Sequence, residues 1–441
     1  MYYDIVGSLP LELLVQIVEY LDLEDIVRSQ RVSKRWRTIF SCRPIIAPFL
    51  REALAFLGLD EEGVSTDVAM ADAMSYIRWR YGLEHARPVK KVFLPWREPL
   101  PRKPDETFCC SRRLCYNVVN RNEAEIFNLE TGETSIWTDP GRAALRRLAL
   151  SDRYLVMIFR TWGYDEYHDL TVWDIHTKHR FSHHVPSFCA RCLIVGDKLV
   201  LAPSPQRSSF PVYVWDLSLD HFQEIGSFSH LKLCHVDPTD NVLVAFEIGG
   251  NQPPEVQQTK WLTTTGQLLE KKNFYLQVPA DCPVKMNVEL FRSACRTYGR
   301  KTVAQWMFWN DRAPIYYEYD YTIDRLDVRW IDRADAIVRW GLIYRSVFLT
   351  RNLVYRFLPQ TKEIVVYNVS TGAETLQSLI GEQGQKHPLI CETDSREFNV
   401  FGDREVFGVT NKIGVELWFF NPNFAPDLVP GGLCSAPEVI K

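Results

Sequence analysis

The sequence predicts a multidomain protein in which an all-α module of three helices precedes an all-β propeller of seven blades. Three observations carry this prediction. Apolar residues recur every three and four positions in the first fifty residues, prolines cluster between residues 88 and 104, and an aromatic unit then recurs at intervals of 42 to 58 residues. They divide the chain into a helical domain at 1–50, a helical and proline-rich connector at 51–105, and a propeller-like binding domain at 106–441.

The first predicted helix begins at Pro10, whose fixed φ suits the first helical position. Its apolar face is formed by Leu13, Leu14, Ile17, Val18 and Leu21. Asp22 can cap a second helix that carries Ile26, and Ser33 can cap a third that carries Trp36. Because domains of roughly 40 residues are marginal without help, the surplus apolar surface indicates a partner.

The same residues resemble a known family. The run from Ser8 to Phe40, SLPLELLVQIVEYLDLEDIVRSQRVSKRWRTIF, is similar to an F-box, in which L-P-x-E-L-L is followed by I-x-x-Y-L and by a V-[CS]-[KR]-x-W close. The matching positions are Leu9, Pro10, Glu12, Leu13, Leu14, Ile17, Tyr20, Leu21, Val32, Ser33, Lys34 and Trp36. The polar stretch from Arg28 to Arg31 departs from the pattern, since family members often carry an apolar residue there.

This resemblance implies docking onto the Skp-type adaptor of a cullin-RING ubiquitin ligase. The adaptor-binding residues that it implies are Leu9, Pro10, Leu13, Leu14, Ile17, Leu21, Ile26, Val32 and Trp36. The alternative is a small helical bundle that packs on the rest of its own chain. Basic residues between Arg28 and Arg43 lack a groove-reading motif, so a solvated face or contact with an acidic adaptor is favoured over nucleic-acid binding.

A proline-rich segment follows a helical pattern that continues to Ala86. Its prolines are Pro88, Pro95, Pro99, Pro101 and Pro104. Such a density excludes helix and favours an extended, stiff connector, which sets the predicted domain boundary.

Beyond the connector, each repeat has an aromatic anchor before a turn, as in V-W-D-I-H-T-K and V-Y-N-V-S-T-G. The anchors are Phe127, Trp173, Trp215, Trp261, Tyr319, Tyr367 and Phe419. Strand pairs with a polar turn precede several of them, such as L-A-L-S-D-R-Y-L-V-M-I-F and C-L-I-V-G-D-K-L-V-L-A. A strand-built period in the forties is typical of a propeller, with a β-sandwich or irregular β domain as the alternative. The units resemble WD repeats without a Gly-His dipeptide, which implies a divergent WD-like propeller similar to those of fungal-type F-box proteins.

No sequence motif for catalysis or cofactor binding is found, so we predict a non-enzymatic protein without cofactors. Cys189 and Cys192 form C-x-x-C, but Cys192 opens a predicted strand, which favours structural thiols over a metal site. The loop from Arg160 to Asp169 carries Trp162, Tyr164 and Tyr167 among acidic residues, a composition suited to binding a basic peptide. These aromatics are therefore the candidate substrate-binding residues, and a hairpin tip with incidental aromatics is the alternative.

The 441 residues include 46% hydrophobic and 24% charged residues and carry a net charge of -4, which excludes a disordered chain and a global field for nucleic acid or membranes. An odd cysteine count of 11 and an acidic Asp4 where a signal peptide is basic predict a reduced, soluble, cytoplasmic or nuclear protein. Three functions stay open: a substrate receptor of an SCF-type ligase for an unknown protein target, a scaffold that binds the adaptor without delivering a target, and a propeller enzyme.

Overall fold

Helices precede seven antiparallel sheets in the computed structural model of the chain. It describes residues 4–60, 63–96, 107–117, 122–142, 145–160, 167–186, 189–203, 210–228, 231–237, 239–248, 255–275, 295–298, 300–306, 315–330, 346–358, 361, 363–378, 398–424 and 438–440. No helix in these ranges is long and apolar enough to cross a membrane.

The helices are α1 (Ile5–Ser8), α2 (Leu11–Val18), α3 (Leu23–Ser29), α4 (Lys34–Ile39), α5 (Arg43–Leu57), α6 (Thr66–Ala69), a 3-10 turn (Met70–Asp72) and α7 (Ala73–Glu84). The predicted caps are confirmed, because the Asp22 side chain accepts from the Asp25 N–H at 2.8 Å and the Ser33 hydroxyl from the Trp36 N–H at 3.1 Å. Pro10 lies one position before α2 instead of inside it. The division at residue 50 falls within α5.

The strands form seven blades whose neighbouring strands a to d are antiparallel, and in blades 1 to 6 these four strands follow one another in sequence. Strand β1 is Lys90–Pro95. Blade 1 contains β2 (Thr107–Cys110), β3 (Arg113–Asn117), β4 (Glu123–Asn128) and β5 (Thr134–Thr138), and blade 2 contains β6 (Leu145–Leu150), β7 (Tyr154–Arg160), β8 (Tyr167–Asp174) and β9 (Arg180–Pro186). Blade 3 contains β10 (Cys189–Val195), β11 (Lys198–Pro203), β12 (Phe210–Asp216) and β13 (His221–Phe228), and blade 4 contains β14 (Leu231–Asp237), β15 (Val242–Ile248), β16 (Glu255–Leu262) and β17 (Leu268–Tyr275). Blade 5 contains β18 (Cys295–Tyr298), β19 (Lys301–Trp306), β20 (Ile315–Asp320) and β21 (Arg325–Trp330), and blade 6 contains β22 (Ser346–Phe348), β23 (Leu353–Leu358), β24 (Glu363–Asn368) and β25 (Glu374–Ser378). Blade 7 contains β26 (Asn399–Gly402), β27 (Val406–Thr410) and β28 (Gly414–Phe419), and the last strand is β29 (Glu438–Ile440).

The predicted propeller of seven blades is confirmed. Every one of the seven aromatic anchors lies in strand c of its own blade. The inner strand β2 of blade 1 contacts β6 of blade 2 on one side and β26 of blade 7 on the other, so the first and last blades meet.

The ring is closed by β1, which supplies strand d of blade 7. It pairs antiparallel with β28, from Lys90 opposite Phe419 to Pro95 opposite Gly414. Gly414 suits this position because a Cβ there would lie 2.5 Å from the Leu94 carbonyl oxygen. Residues 90–95 were predicted as connector, and the boundary at 106 leaves this propeller strand outside the propeller. The prolines between residues 97 and 106 lie outside the described residues.

The two faces of the propeller differ in their connections. Because successive strands are antiparallel, all a–b and c–d turns lie on one face, here called the turn face, and the b–c and d–a connections lie on the other, the loop face. Turns such as Ser111–Arg112 and Gly196–Asp197 connect strands directly on the turn face. The strand ends that flank 276–294, 331–345 and 379–397 all lie on the loop face.

The helical region packs on the turn face of blades 6 and 7. One apolar cluster includes Ile26, Leu50 and Ile77 from the helices and Tyr355 and Trp418 from the blades. The indole N–H of Trp79 donates to the Arg404 carbonyl at 2.6 Å, and the Arg404 guanidinium donates to the Leu57 carbonyl at 3.1 Å. The helices are therefore fixed to the propeller by packing and by hydrogen bonds.

Candidate functional site

Helix α2 has two apolar stripes that lie on different sides. Leu14 and Val18 face inward, and Leu14 is only 4% exposed. Leu13 and Ile17 have the same spacing of four residues but face outward, and Leu13 is 45% exposed. A helix that is apolar on two sides is stable in water only when both are covered, so the outer stripe is a candidate contact surface.

The predicted adaptor-binding residues divide into three groups. Pro10, Leu13, Ile17 and Val32 are exposed, and Leu9, Leu21 and Trp36 are half-buried. Leu14 and Ile26 are buried in the apolar cluster that joins the helices to the propeller. These two side chains cannot contact a partner from there, and we reassign them to the core.

Two exposed apolar residues of this region were not among the predicted contacts. Leu11 is exposed at the start of α2 but lies two positions from Leu13, on another side of the helix, and Tyr20 is exposed just beyond its end. Tyr20 matches the family pattern and lies three positions after Ile17, a signal that places both on one helical face. Tyr20, Pro10, Leu13 and Ile17 form what we call the outer apolar surface.

Trp36 has a positioning role within the chain. Its indole N–H donates to the Asp4 carboxylate at 2.9 Å, and the Gly7 N–H donates to the same oxygen at 2.8 Å. These hydrogen bonds, first that from Trp36, lower the pKa of Asp4. Arg35 also donates to the Gly7 carbonyl, so α4 holds the turn that leads into α2.

Polar contacts connect α3 to α7. The Tyr81 hydroxyl donates to Glu24 at 3.0 Å and accepts from Arg87 at 2.8 Å. Burial, followed by the bond to Glu24, raises the pKa of Tyr81. Arg78 donates to the buried side chain of Gln30 at 3.2 Å. Since α7 is itself bound to blades 6 and 7, the outer apolar surface is supported from the propeller.

The predicted substrate-binding residues Trp162 and Tyr164 lie outside the described residues. The backbone of Tyr167 begins β8 and pairs with Pro186, but its side chain lies outside them too. The strand ends that flank 161–166 lie on the loop face, opposite the helices. Nearby, Asp169 accepts from Arg142 at 2.6 Å and lies 2.7 Å from the His184 ring nitrogen.

The structure describes the side chain of only one member of the cysteine pair. Cys192 lies in β10, as predicted, and the side chain of Cys189 lies outside the described residues. Within the described part of the chain, no three His, Cys, Asp or Glu side chains form a group that could hold a metal ion. The assignment of both residues as structural thiols stays a prediction.

The fold and the site define a class of protein in which a β-propeller carries a helical module with an outer apolar surface. The family comparison gives the module its identity, because residues 6–45 match the model of the F-box-like family. The chain therefore carries an F-box-like domain at residues 6–45 and a C-terminal seven-bladed propeller.

Three solved structures with a similar fold share little sequence with the chain. The extracellular domain of a one-component system from B. thetaiotaomicron shares 12% identity over 75% of this chain and 40% of that one, with a TM-score of 0.42. The propeller domain of Cps50 (Swd1) from Myceliophteria thermophila shares 10% identity over 72% of this chain and 99% of that one, with a TM-score of 0.43. The propeller domain of the Trilobed protease from Pyrococcus furiosus shares 9% identity over 78% of this chain and 98% of that one, with a TM-score of 0.44. The chain thus spans less than half of the first of these. Comparison with curated proteins finds no significant match.

Proposed function

We propose that the chain is the substrate-recognition subunit of an SCF-type E3 ubiquitin ligase, in which the helical module binds a Skp-type adaptor and the propeller binds the target protein. The observation that carries this proposal is the outer apolar surface of α2, which lies within the segment that matches the F-box-like family. An exposed apolar surface of this kind is buried by a protein partner.

In this role the chain does no chemistry and contributes proximity. Holding a target lysine near another subunit's thioester raises its effective concentration. A fixed mount suits that role, because the helices are hydrogen-bonded to blade 7 through Trp79 and Arg404. We propose a cytoplasmic or nuclear location, where the ligase subunits are found.

Adaptor docking is tested by co-purification from eukaryotic cells with the tagged full chain. The variant Leu13→Asp/Ile17→Asp places two charges on the outer apolar surface and is expected to reduce adaptor recovery at least tenfold. Val68→Asp is the matched control, because Val68 is a helical residue that is 78% exposed outside residues 6–45.

The outcomes separate the three functions. Recovery of adaptor and cullin with the wild type and the control supports the ligase subunit. Adaptor without cullin favours the scaffold, and absence of both from the wild type contradicts adaptor docking and favours an enzyme.

We place target recognition on the loop face, which is opposite the helices and contains the strand ends that flank residues 161–166. The candidates Trp162 and Tyr164 belong to that segment, and Tyr167 begins the strand after it. Proteins bound to the wild type are compared with and without proteasome inhibition. Trp162→Ala/Tyr164→Ala is expected to lose the inhibitor-dependent partners, whereas Leu219→Ala, at an exposed site on the turn face, is expected to keep them. Retention of all partners by the double variant contradicts this placement.

A further inference from the structure

Among the described residues, blade 1 is the blade whose outer edge carries a fifth strand. β29 pairs in parallel with β5, with Glu438 opposite Ser135 and Ile440 opposite Trp137. Its three residues come from a part of the chain remote from blade 1. This contact has no part in adaptor docking or in target recognition on the loop face.

Blade 1 lacks an apolar side chain that blade 2 supplies to the next blade. In blade 2, Phe181 lies opposite Val172, the residue before the anchor Trp173, and packs against Trp215 of blade 3 with ring centroids 6.2 Å apart. The equivalent position in blade 1 is Ser135, opposite Ile126. At this position the seam between blades 1 and 2 therefore has a small polar side chain where the seam between blades 2 and 3 has an aromatic ring.

Ile440 adds an apolar side chain to this seam. Residues in register on neighbouring strands point to the same face, so Ile440 faces blade 2 together with Trp137. Ile440 is only 7% exposed and belongs to the apolar cluster that contains Trp137 and Trp173, whose rings lie 5.5 Å apart. Val439, on the opposite face, is 51% exposed.

A charge fixes the position of the strand along this edge. Glu438 forms an ion pair with Lys178, which lies in the c–d turn of blade 2. The edge thus recognises three features together: an extended backbone, an acidic residue, and an aliphatic residue two positions later.

We propose that the outer edge of blade 1 is a binding site for an extended acidic–x–aliphatic peptide, and that residues 438–440 occupy it in cis. The mode of binding is strand addition, in which backbone hydrogen bonds give affinity and alternate side chains give specificity. Because the linked segment is present at an effective concentration in the millimolar range, it excludes free peptides with the same contacts. A peptide partner gains access when the cis segment is released.

The test uses the full chain and a fluorescein-labelled peptide with the sequence of residues 435–441, SAPEVIK. Ile440→Asp in the chain is expected to release the cis segment and to increase peptide affinity at least tenfold over the wild type, measured by fluorescence anisotropy. Val439→Asp is the matched control and is expected to bind as weakly as the wild type. Equal affinities for Ile440→Asp and the wild type overturn the proposal.

The charge contact is tested in the Ile440→Asp chain. Lys178→Glu is expected to weaken binding of SAPEVIK severalfold. A peptide with Lys in place of its Glu is expected to bind the Lys178→Glu chain with the original affinity. If Lys178→Glu leaves the affinity unchanged, the proposed recognition of an acidic residue is overturned.

A further measurement covers the case in which Ile440→Asp does not fold. Excess peptide added to the wild type should replace the cis strand, so the amides of residues 438–440 should exchange faster while those of residues 135–137 keep their protection. Unchanged exchange at residues 438–440 in saturating peptide overturns the proposal.

Discussion

His235 connects the inner part of blade 4 to blade 5. Its Nδ1 lies 2.9 Å from the Thr302 hydroxyl, and its Nε2 has no hydrogen-bond partner among the described residues. Burial lowers the pKa of His235 from 6.5 to about 4. The folded protein therefore holds the neutral ring, since a proton on Nε2 would be buried without an acceptor.

This pKa predicts a loss of stability in weak acid. The unfolded chain takes up a proton on His235 as the pH falls below 6.5, whereas the folded chain does so only near pH 4. The stability that the neutral ring contributes is thus fully present above pH 6.5 and is lost between pH 6.5 and 4, by on the order of 3 kcal/mol. Denaturant unfolding across this range should show a smaller decrease for His235→Gln than for the wild type. The exposed His221→Gln should follow the wild type, and parallel curves for all three chains would contradict the prediction.

At the scale of the element, we expect different residues of α2 to determine the stability of the fold and the binding of the adaptor. Leu14→Ala should lower the free energy of unfolding by about 2 to 5 kcal/mol because it leaves a cavity in the buried cluster. Leu13→Ala, its exposed neighbour, should change it by about 0.5 kcal/mol or less and should weaken adaptor binding instead. Chemical unfolding and adaptor titration of both variants check this pair. A large stability loss in Leu13→Ala would show that its side chain is buried.

Sequence periodicity predicted α2 and the family pattern indicated a docking surface, but neither could tell its two stripes apart. Leu13 and Leu14 are the same residue type at adjacent positions, and only the packing of α2 on α5 makes Leu14 the buried one. The prediction from the aromatic anchors was correct because it depended on a local pattern. Each lies beside its own turn, so the repeat is a local signal, and all seven fell in strand c.

Strand β1 could not be predicted from local pattern. Its partner Phe419 lies at the other end of the chain from Lys90, and the neighbouring prolines favoured a connector. A fragment that begins at residue 106 lacks β1 and leaves the edge of β28 unpaired, which exposes a template for aggregation. The full chain keeps β1 and the helices that cover blades 6 and 7. We expect the full chain to be monomeric by size-exclusion chromatography and the fragment to aggregate. A monomeric fragment would contradict this prediction.

At the scale of the whole molecule, the helices and the loop face lie on opposite sides of the ring. The turn of blade 7 between β26 and β27 joins the helices to the propeller on the turn face. Glu405 accepts from Arg112 of blade 1 at 3.2 Å, and Arg404 contacts both α5 and Trp79. Direct packing of the helices on blades 6 and 7 therefore sets the distance between the outer apolar surface and the propeller.

This continuity predicts that the helices and propeller unfold together. Their shared apolar cluster extends from Leu14 in α2 to Trp418 in blade 7, so neither part can lose its packing without exposing the other. Calorimetry of the wild type should show one cooperative transition. Trp79→Ala removes a buried ring at the junction, at a cost of about 3 to 5 kcal/mol, and should separate a helical transition at lower temperature from that of the propeller.

The control for this effect is Val68→Ala, an exposed helical position that should keep a single transition. Adaptor binding by Trp79→Ala should be close to that of the wild type below its first transition, because the outer apolar surface does not include Trp79. Two separate transitions in the wild type would refute the shared core and with it the fixed mount.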